Sequence, residues 1–288
     1  MASRRSICGV LVAGVMALSI GLDAQQALDR KRVPPPGPPP DLRVPTWTRT
    51  TLSNGAELIV SEKHDLPLVS FSITVMGGSS QFEPPDGAGL PSLTAPMMSE
   101  GTKTRDGEAL SNALQLLGTS VSTTIGSESG SMGFVSTSGK LAPTLEIMAD
   151  MLLNSVFPAD ALERIRAQRL VALTQGRAQP NVIAGRVFPR VLYGPEHPYG
   201  RVTSEESIKA MQRDEVVKFH AEYFQPGRAL VTVVGDVTPA SAKAAVEKAL
   251  AAWGKGGTRP SFQYPDPPKR QKTTIYLVDR PGAAQSTV

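Results

Sequence analysis

The run Ala229-Leu-Val-Thr-Val-Val-Gly235 is apolar and largely β-branched, with no regular alternation of polar positions. A short run of this kind, closed by glycine, reads as a strand covered on both faces, so it demands neighbouring strands and packed layers. A second strand obeys a different rule. Phe71, Ile73 and Val75 alternate with Ser70, Ser72 and Thr74, the signature of a strand that buries one face only. Helical patterns fill most of the sequence between the two.

Folded sequence begins near Trp47. Leu52 to Val60 carries Asn54-Gly55, a pair that favours hairpin turns because both residues tolerate positive φ. Residues 89–102, Gly-Leu-Pro-Ser-Leu-Thr-Ala-Pro-Met-Met-Ser-Glu-Gly-Thr, read as a helix with Leu90, Leu93, Met97 and Gly101 on one apolar stripe. Pro91 suits its first turn, where the missing N–H has no partner to lose. Pro96 does not. Inside a helix it costs ~3 kcal/mol or more, so the helix is expected to be irregular between Ser92 and Pro96 and regular after it. Asp106 caps a short helix with Ala109, Leu110, Ala113, Leu114 and Leu117 on its apolar face and Gly118 at its end. Ser120–Gly126 and Ser129–Thr137 form a polar hairpin. Further helices are expected over residues 141–154, 159–176, 182–193, 204–210, 213–223 and 239–253. The last places Ala240, Ala244, Val246 and Leu250 inward.

The amino terminus reads as an export signal. Arg4 and Arg5 precede the apolar run Ile7–Ile20, with a cleavage site after Ala24. That run is too short to span a bilayer, which places a signal peptide ahead of a retained anchor, so no stable membrane anchor is expected. Removing residues 1–24, which carry Arg4, Arg5 and Asp23, takes the formal net charge from +4 to +3. Cys8 is the one cysteine of the chain, so the mature protein is expected to lack disulfides, thiolate metal sites and a Cys nucleophile. Basic residues are scattered, without runs or interleaved aromatics, and give nucleic-acid binding no support. Val33–Pro40 reads as an extended spacer, a docking motif for a proline-binding module being the functional alternative. The expected organisation is a signal peptide over 1–24, a Pro-rich linker over 25–46 and a domain over 47–253. A Gly/Pro linker over 254–272 follows, then the start of a truncated second domain over 273–288, where Thr274–Val278 begins a new strand.

Several short motifs stand in one order: Asn54-Gly55, Gly87-Ala-Gly-Leu90, Glu100-Gly-Thr102, His197-Pro-Tyr-Gly200, Tyr223-Phe-Gln-Pro226 and Val233-Val-Gly-Asp-Val237. With Arg280–Gln285 at the tail, this set resembles the insulinase-like (M16, inverzincin) metallopeptidase family, which includes the mitochondrial processing peptidases. The resemblance implies an α+β fold, an α/β domain of mixed sheet and packed helices present as one full repeat plus the start of a second. It also implies a chamber between two repeats, in which extended substrate pairs with a sheet edge. The Ser120–Gly126 strand corresponds to that edge, with Ser122, Thr123 and Thr124 as groove positions. A Ser/Thr-rich edge is equally normal for any solvated strand.

The family's inverted His-x-x-Glu-His motif sets two His four residues apart on one helix face to hold zinc. The Glu activates the metal-bound water, and a distant Glu completes the site. The corresponding positions here are Ser92, Ala95 and Pro96, with the distant Glu at Ala172. Ala and Pro offer no side-chain donor, and a neutral Ser hydroxyl is a poor zinc ligand. His64, His197 and His220 are far apart in sequence and read as structural or solvated, with His197 a packing residue. Gly126-Ser-Glu-Ser-Gly130 places Glu at the centre of what would be a nucleophile elbow, and Leu141 follows Lys140 where a phosphate loop needs Ser or Thr.

No catalytic residue and no metal ligand is assigned, and zinc is expected in a partner subunit instead. The leading expectation is a non-catalytic subunit of an exported, periplasmic or extracellular heteromeric zinc peptidase. Its partners would be a catalytic subunit bearing His-x-x-Glu-His and an extended peptide. A stand-alone binding or structural protein using the fold without proteolysis is the alternative.

Overall fold

The Asn54-Gly55 pair turns the chain between β1 (Thr48–Thr51) and β2 (Glu57–Glu62), which pair antiparallel with Thr51 opposite Glu57. Asn54 Oδ1 accepts the Ala56 N–H at 3.1 Å, and Gly55 sits at φ +96°. The computed structural model describes residues 45–279, together with Gly37 and Gly282. The expected export signal lies outside the described residues, as does the Val33–Pro40 spacer apart from Gly37. Residues from Pro45 onward form one compact unit.

After the hairpin come β3 (Leu68–Met76), α1 (Ser79–Phe82), α2 (Leu90–Met97), α3 (Gly107–Leu116), β4 (Ser122–Ile125) and β5 (Ser129–Thr137). Then follow α4 (Leu141–Asn154), α5 (Ala159–Gly176), α6 (Pro180–Tyr193), α7 (Glu205–Ala210), α8 (Arg213–Tyr223), β6 (Ala229–Gly235) and α9 (Pro239–Ala249). The sheet order is β1-β2-β6-β3-β5-β4. β6 runs parallel to β2 and antiparallel to β3, and the remaining pairs are antiparallel. The expected α+β architecture with a mixed sheet is therefore present.

β6 enters the middle of the sheet, but only one of its faces is fully covered. Ala229, Val231 and Val233 are buried, whereas Leu230 and Thr232 are half-buried and Val234 is 38% exposed. The covered face continues through Phe71, Ile73, Val75, Met132 and Phe134. The other face presents Ser70, Ser72, Thr74 and Ser131. Burial of β6 on both faces is thus corrected to one. β-Branched residues suit strand pairing as well as burial, so their run did not distinguish a central strand from a doubly covered one.

Two helices need similar corrections. In α9 the inward residues are Ala242 and Val246, continued by Leu250 and Trp253, while Ala240 and Ala244 are exposed. Alanine is frequent all round this helix, so the larger Val246, Leu250 and Trp253 decide which stripe turns inward. In α3, Leu110 and Leu114 are buried and Ala109 is exposed. Ala109 instead gives its N–H to Asp106 Oδ1 at 2.8 Å, the N-cap bond read from sequence. Asp106→Ala is expected to lower stability by about 1 kcal/mol in a urea titration, and an unchanged midpoint would mean the cap contributes nothing.

Beyond α9 the Gly/Pro segment read as a linker packs back onto the domain. Gly227 donates its N–H to Gly256 O at 2.7 Å, Phe262 meets Phe82 edge-on at 5.8 Å, and Tyr264 lies 5.1 Å from Tyr199. Residues 274–278, expected as a strand, pair with no strand among the described residues. Ile275 and Leu277 are 88% and 89% exposed. A strand exists only by hydrogen bonds to a neighbour, and apolar alternation alone does not supply one.

Candidate functional site

Every residue of α2 is buried except Ser92 and Pro96, the two positions that the resemblance sets against the motif histidines. Leu90, Leu93 and Met97 fill the core, joined by Pro91, Thr94 and Ala95. The helix opens one narrow window, and that window holds a hydroxyl and a pyrrolidine ring.

The irregularity expected between Ser92 and Pro96 is absent. α2 is one unbroken helix from Leu90 to Met97, and the loosening comes after it. There Ser99 and Glu100 bond back three residues, to Pro96 O at 3.2 Å and Met97 O at 3.1 Å. The reason is visible at Ser92. Pro96 lacks the N–H that would bond the Ser92 carbonyl four residues earlier. That carbonyl instead accepts Arg169 Nε at 3.2 Å and Nη2 at 3.0 Å, both from α5. The Ser92 hydroxyl turns back and donates to Gly89 O at 2.6 Å.

α2 packs against α5, which carries Ala172, and against the edge strand β4. The fold therefore brings the degenerate motif helix, the helix of the distant position and the expected groove edge together, with Ala172 on an exposed face of α5. β4 pairs only with β5, so its outer edge has no strand partner among the described residues. Ser122 and Thr124 share a face with Ser131, and the Thr124 and Ser131 hydroxyls are 3.0 Å apart. Thr123 points to the opposite face, where its Oγ1 is buried without a hydrogen-bond partner. Beside β4, Ser70, Ser72, Thr119, Ser120, Ser122 and Ser131 help line an open groove of about 800 Å³.

These residues do not fit a zinc ion. Three of the four positions have no donor beyond the backbone, and the fourth has its hydroxyl hydrogen committed to Gly89. Among the described residues no group of three or more His, Cys, Asp or Glu side chains is placed to hold a metal. His64 bonds Asp236 at 2.8 Å in an exposed turn. His197 is 4% exposed, stacked on Tyr193 at 4.8 Å, and its Nδ1 accepts the Tyr199 N–H, which matches the packing role read from sequence. His220 is enclosed by Phe157 and Phe224, and burial pushes its imidazole down to about 4.

Sequence reasoning missed Glu83. Its carboxylate accepts the N–H of Gly89, the residue that opens α2, while Arg201 donates to the Glu83 carbonyl at 2.8 Å. Burial pushes this carboxyl up to about 7, against the opposing pull of the Gly89 N–H and Arg201. The residue stands in a Gly/Pro-rich connection, where no periodicity marks a half-buried acid.

Two family models match the chain. Residues 58–184 match that of the insulinase peptidases, family M16, and residues 210–288 match that of the peptidase M16 inactive domain. An uncharacterized zinc protease of Mycobacterium leprae is 28% identical over 193 residues, covering 66% of this chain and 42% of that protein. The uncharacterized zinc protease YmxG of Bacillus subtilis is 20% identical over 220 residues, covering 76% and 53%. Among solved structures, a peptidase M16 inactive domain from Pseudomonas fluorescens superposes with a TM-score of 0.70 at 26% identity, covering 77% of this chain and 54% of that one. The periplasmic protease PqqL of Escherichia coli does so with 0.64 at 18%, covering 76% and 25%. The chain spans about half the length of the relatives it matches. With the ordered motifs, the mixed sheet and both family models in agreement, this chain belongs to the insulinase-like M16 peptidase family.

Proposed function

We propose that this chain is a non-catalytic M16 subunit of an exported heteromeric zinc peptidase, and that a partner bearing an intact His-x-x-Glu-His holds the zinc. This subunit supplies part of the chamber wall and of the substrate groove. The observation that carries the reading is the window on α2, whose two unburied side chains are Ser92 and Pro96 where a peptidase needs two imidazoles. The Ala95 side chain, at the position of the general base, is buried and cannot move a proton.

The groove role rests on β4. An extended peptide can add to its outer edge through backbone hydrogen bonds alone, which needs no particular side chains at Ser122, Thr123 or Thr124. Beside that edge, the α2 window offers small uncharged groups that let a peptide backbone pass without polarising its carbonyl.

The test is hydrolysis of a quenched, extended fluorogenic peptide by tag-free protein, with metal content measured on the same sample. Alone, the chain is expected to hold no stoichiometric zinc and to show no chelator-sensitive cleavage. Mixed with a catalytic M16 subunit, it is expected to raise cleavage to a maximum at a one-to-one ratio. One zinc per chain together with cleavage by the chain alone, both lost on substitution in α2, would overturn the proposal. Peptide binding that never leads to cleavage in any mixture would favour the stand-alone binding protein.

A further inference from the structure

Pro96 and Arg169 lie 73 positions apart in sequence, yet both bear on one atom, the Ser92 carbonyl oxygen. Proline at 96 removes that oxygen's helical donor and adds a ring that crowds it. Ser92 is one of the two unburied positions of α2, and its carbonyl must find a donor outside its own helix. Arg169 answers with two N–H groups, and charged donors make the stronger kind of hydrogen bond.

We infer that Arg169 is a positioning residue paired with Pro96, whose guanidinium ties α5 to α2 through the Ser92 carbonyl and keeps α2 helical across the degenerate motif. In place of ligand side chains converging from two helices on an ion, a side chain of one helix here reaches the backbone of the other. The neighbouring arginines of α5 are engaged elsewhere. Arg164 pairs with Glu100 at 2.5 Å, and Arg166 reaches the carbonyls of Ile208, Lys209 and Met211. Neither can take the place of Arg169.

The pairing has a signature that simple packing does not. Pro96→Ala restores an N–H to the Ser92 carbonyl and makes Arg169 dispensable. The test is a double-mutant cycle by urea unfolding of the full chain with Arg169→Met, Pro96→Ala and the pair. Arg169→Met is expected to lower the folded-to-unfolded ratio about threefold to fivefold in the native background and less than about 1.5-fold beside Pro96→Ala. Arg169→Lys, which keeps the charge but has no planar fork, is expected to recover only part of the loss. Equal losses in both backgrounds would overturn the inference, as would full recovery by Lys. If Arg169→Met does not fold alone, the same comparison is made with Arg169→Lys, whose loss must shrink in the Pro96→Ala background for the pairing to stand.

Discussion

Gly235→Ala is expected to destabilise the domain by about 3–5 kcal/mol, a large share of the ~5–15 kcal/mol that holds a typical domain together. Gly235 ends β6 at φ +139°, a backbone conformation that side chains with a Cβ rarely adopt. A Cβ there would lie 2.0 Å from Leu68 O and 2.9 Å from Val69 Cα, both on the neighbouring β3. Neither is the free end of a flexible side chain, so β3 or β6 must move. The backbone strain costs about 1–3 kcal/mol and the overpacking about the same again. The change also strikes a junction, because Gly235 O accepts the Lys63 N–H at 2.8 Å and Asp236 N donates to Leu68 O at 2.9 Å. Gly139 is the control. A Cβ there meets nothing within 4 Å, so Gly139→Ala is expected to shift stability by less than about 0.5 kcal/mol. Equal urea midpoints for the two variants would show that β3 and β6 do not approach as closely as described.

The second large effect is hidden in the wild type and appears only in variants. Folding raises the Glu83 carboxyl from 4.5 to about 7, so its contribution to stability is full below pH 4.5 and is lost as pH rises through 7. Folding lowers the His220 imidazole from 6.5 to about 4, so its contribution is full above pH 6.5 and is lost as pH falls through 4. Each swing is worth about 3 kcal/mol, and between pH 4.5 and 6.5 the two slopes oppose each other and nearly cancel. Removing one exposes the other. Relative to wild type, Glu83→Gln is expected to gain about 3 kcal/mol as pH rises from 4.5 to 7, since the amide accepts the Gly89 N–H at every pH. His220→Phe, placed among Phe157 and Phe224, is expected to gain about as much as pH falls from 6.5 to 4. Urea unfolding at pH 4.0, 4.5, 5.5, 6.5 and 7.5 reads both. Parallel profiles for the three proteins would mean that neither group changes its protonation on folding.

The elements were legible where local chemistry repeats. Asn54-Gly55, the Ser/apolar alternation of β3, the Asp106 cap and the Ser/Thr hairpin of β4 and β5 each determine geometry over a few residues, and each appears where the sequence places it. That Ser92, Ala95, Pro96 and Ala172 are neither His nor Glu is a fact of the sequence, because a donor atom is a property of the side chain and not of the fold. Uniform composition hid the rest. Alanines all round α9 left its inner face open, and β-branched residues in β6 fit one covered face as well as two.

What only the tertiary structure decided are the contacts between residues far apart in sequence. The insertion of β6 between β2 and β3 depends on pairing across more than 150 residues, which no local window encodes. The fate of Pro96 is the sharper case. By itself a proline in mid-helix predicts a break, and within Leu90–Met97 nothing offsets it. Arg169 does so from 77 residues beyond Ser92, by giving the freed carbonyl the hydrogen bonds its own helix withholds. A helix needs its carbonyls satisfied and is indifferent to whether the donor comes from the same turn or from another helix. Local sequence therefore specified that Pro96 takes a bond away, and folding alone specified where the replacement comes from.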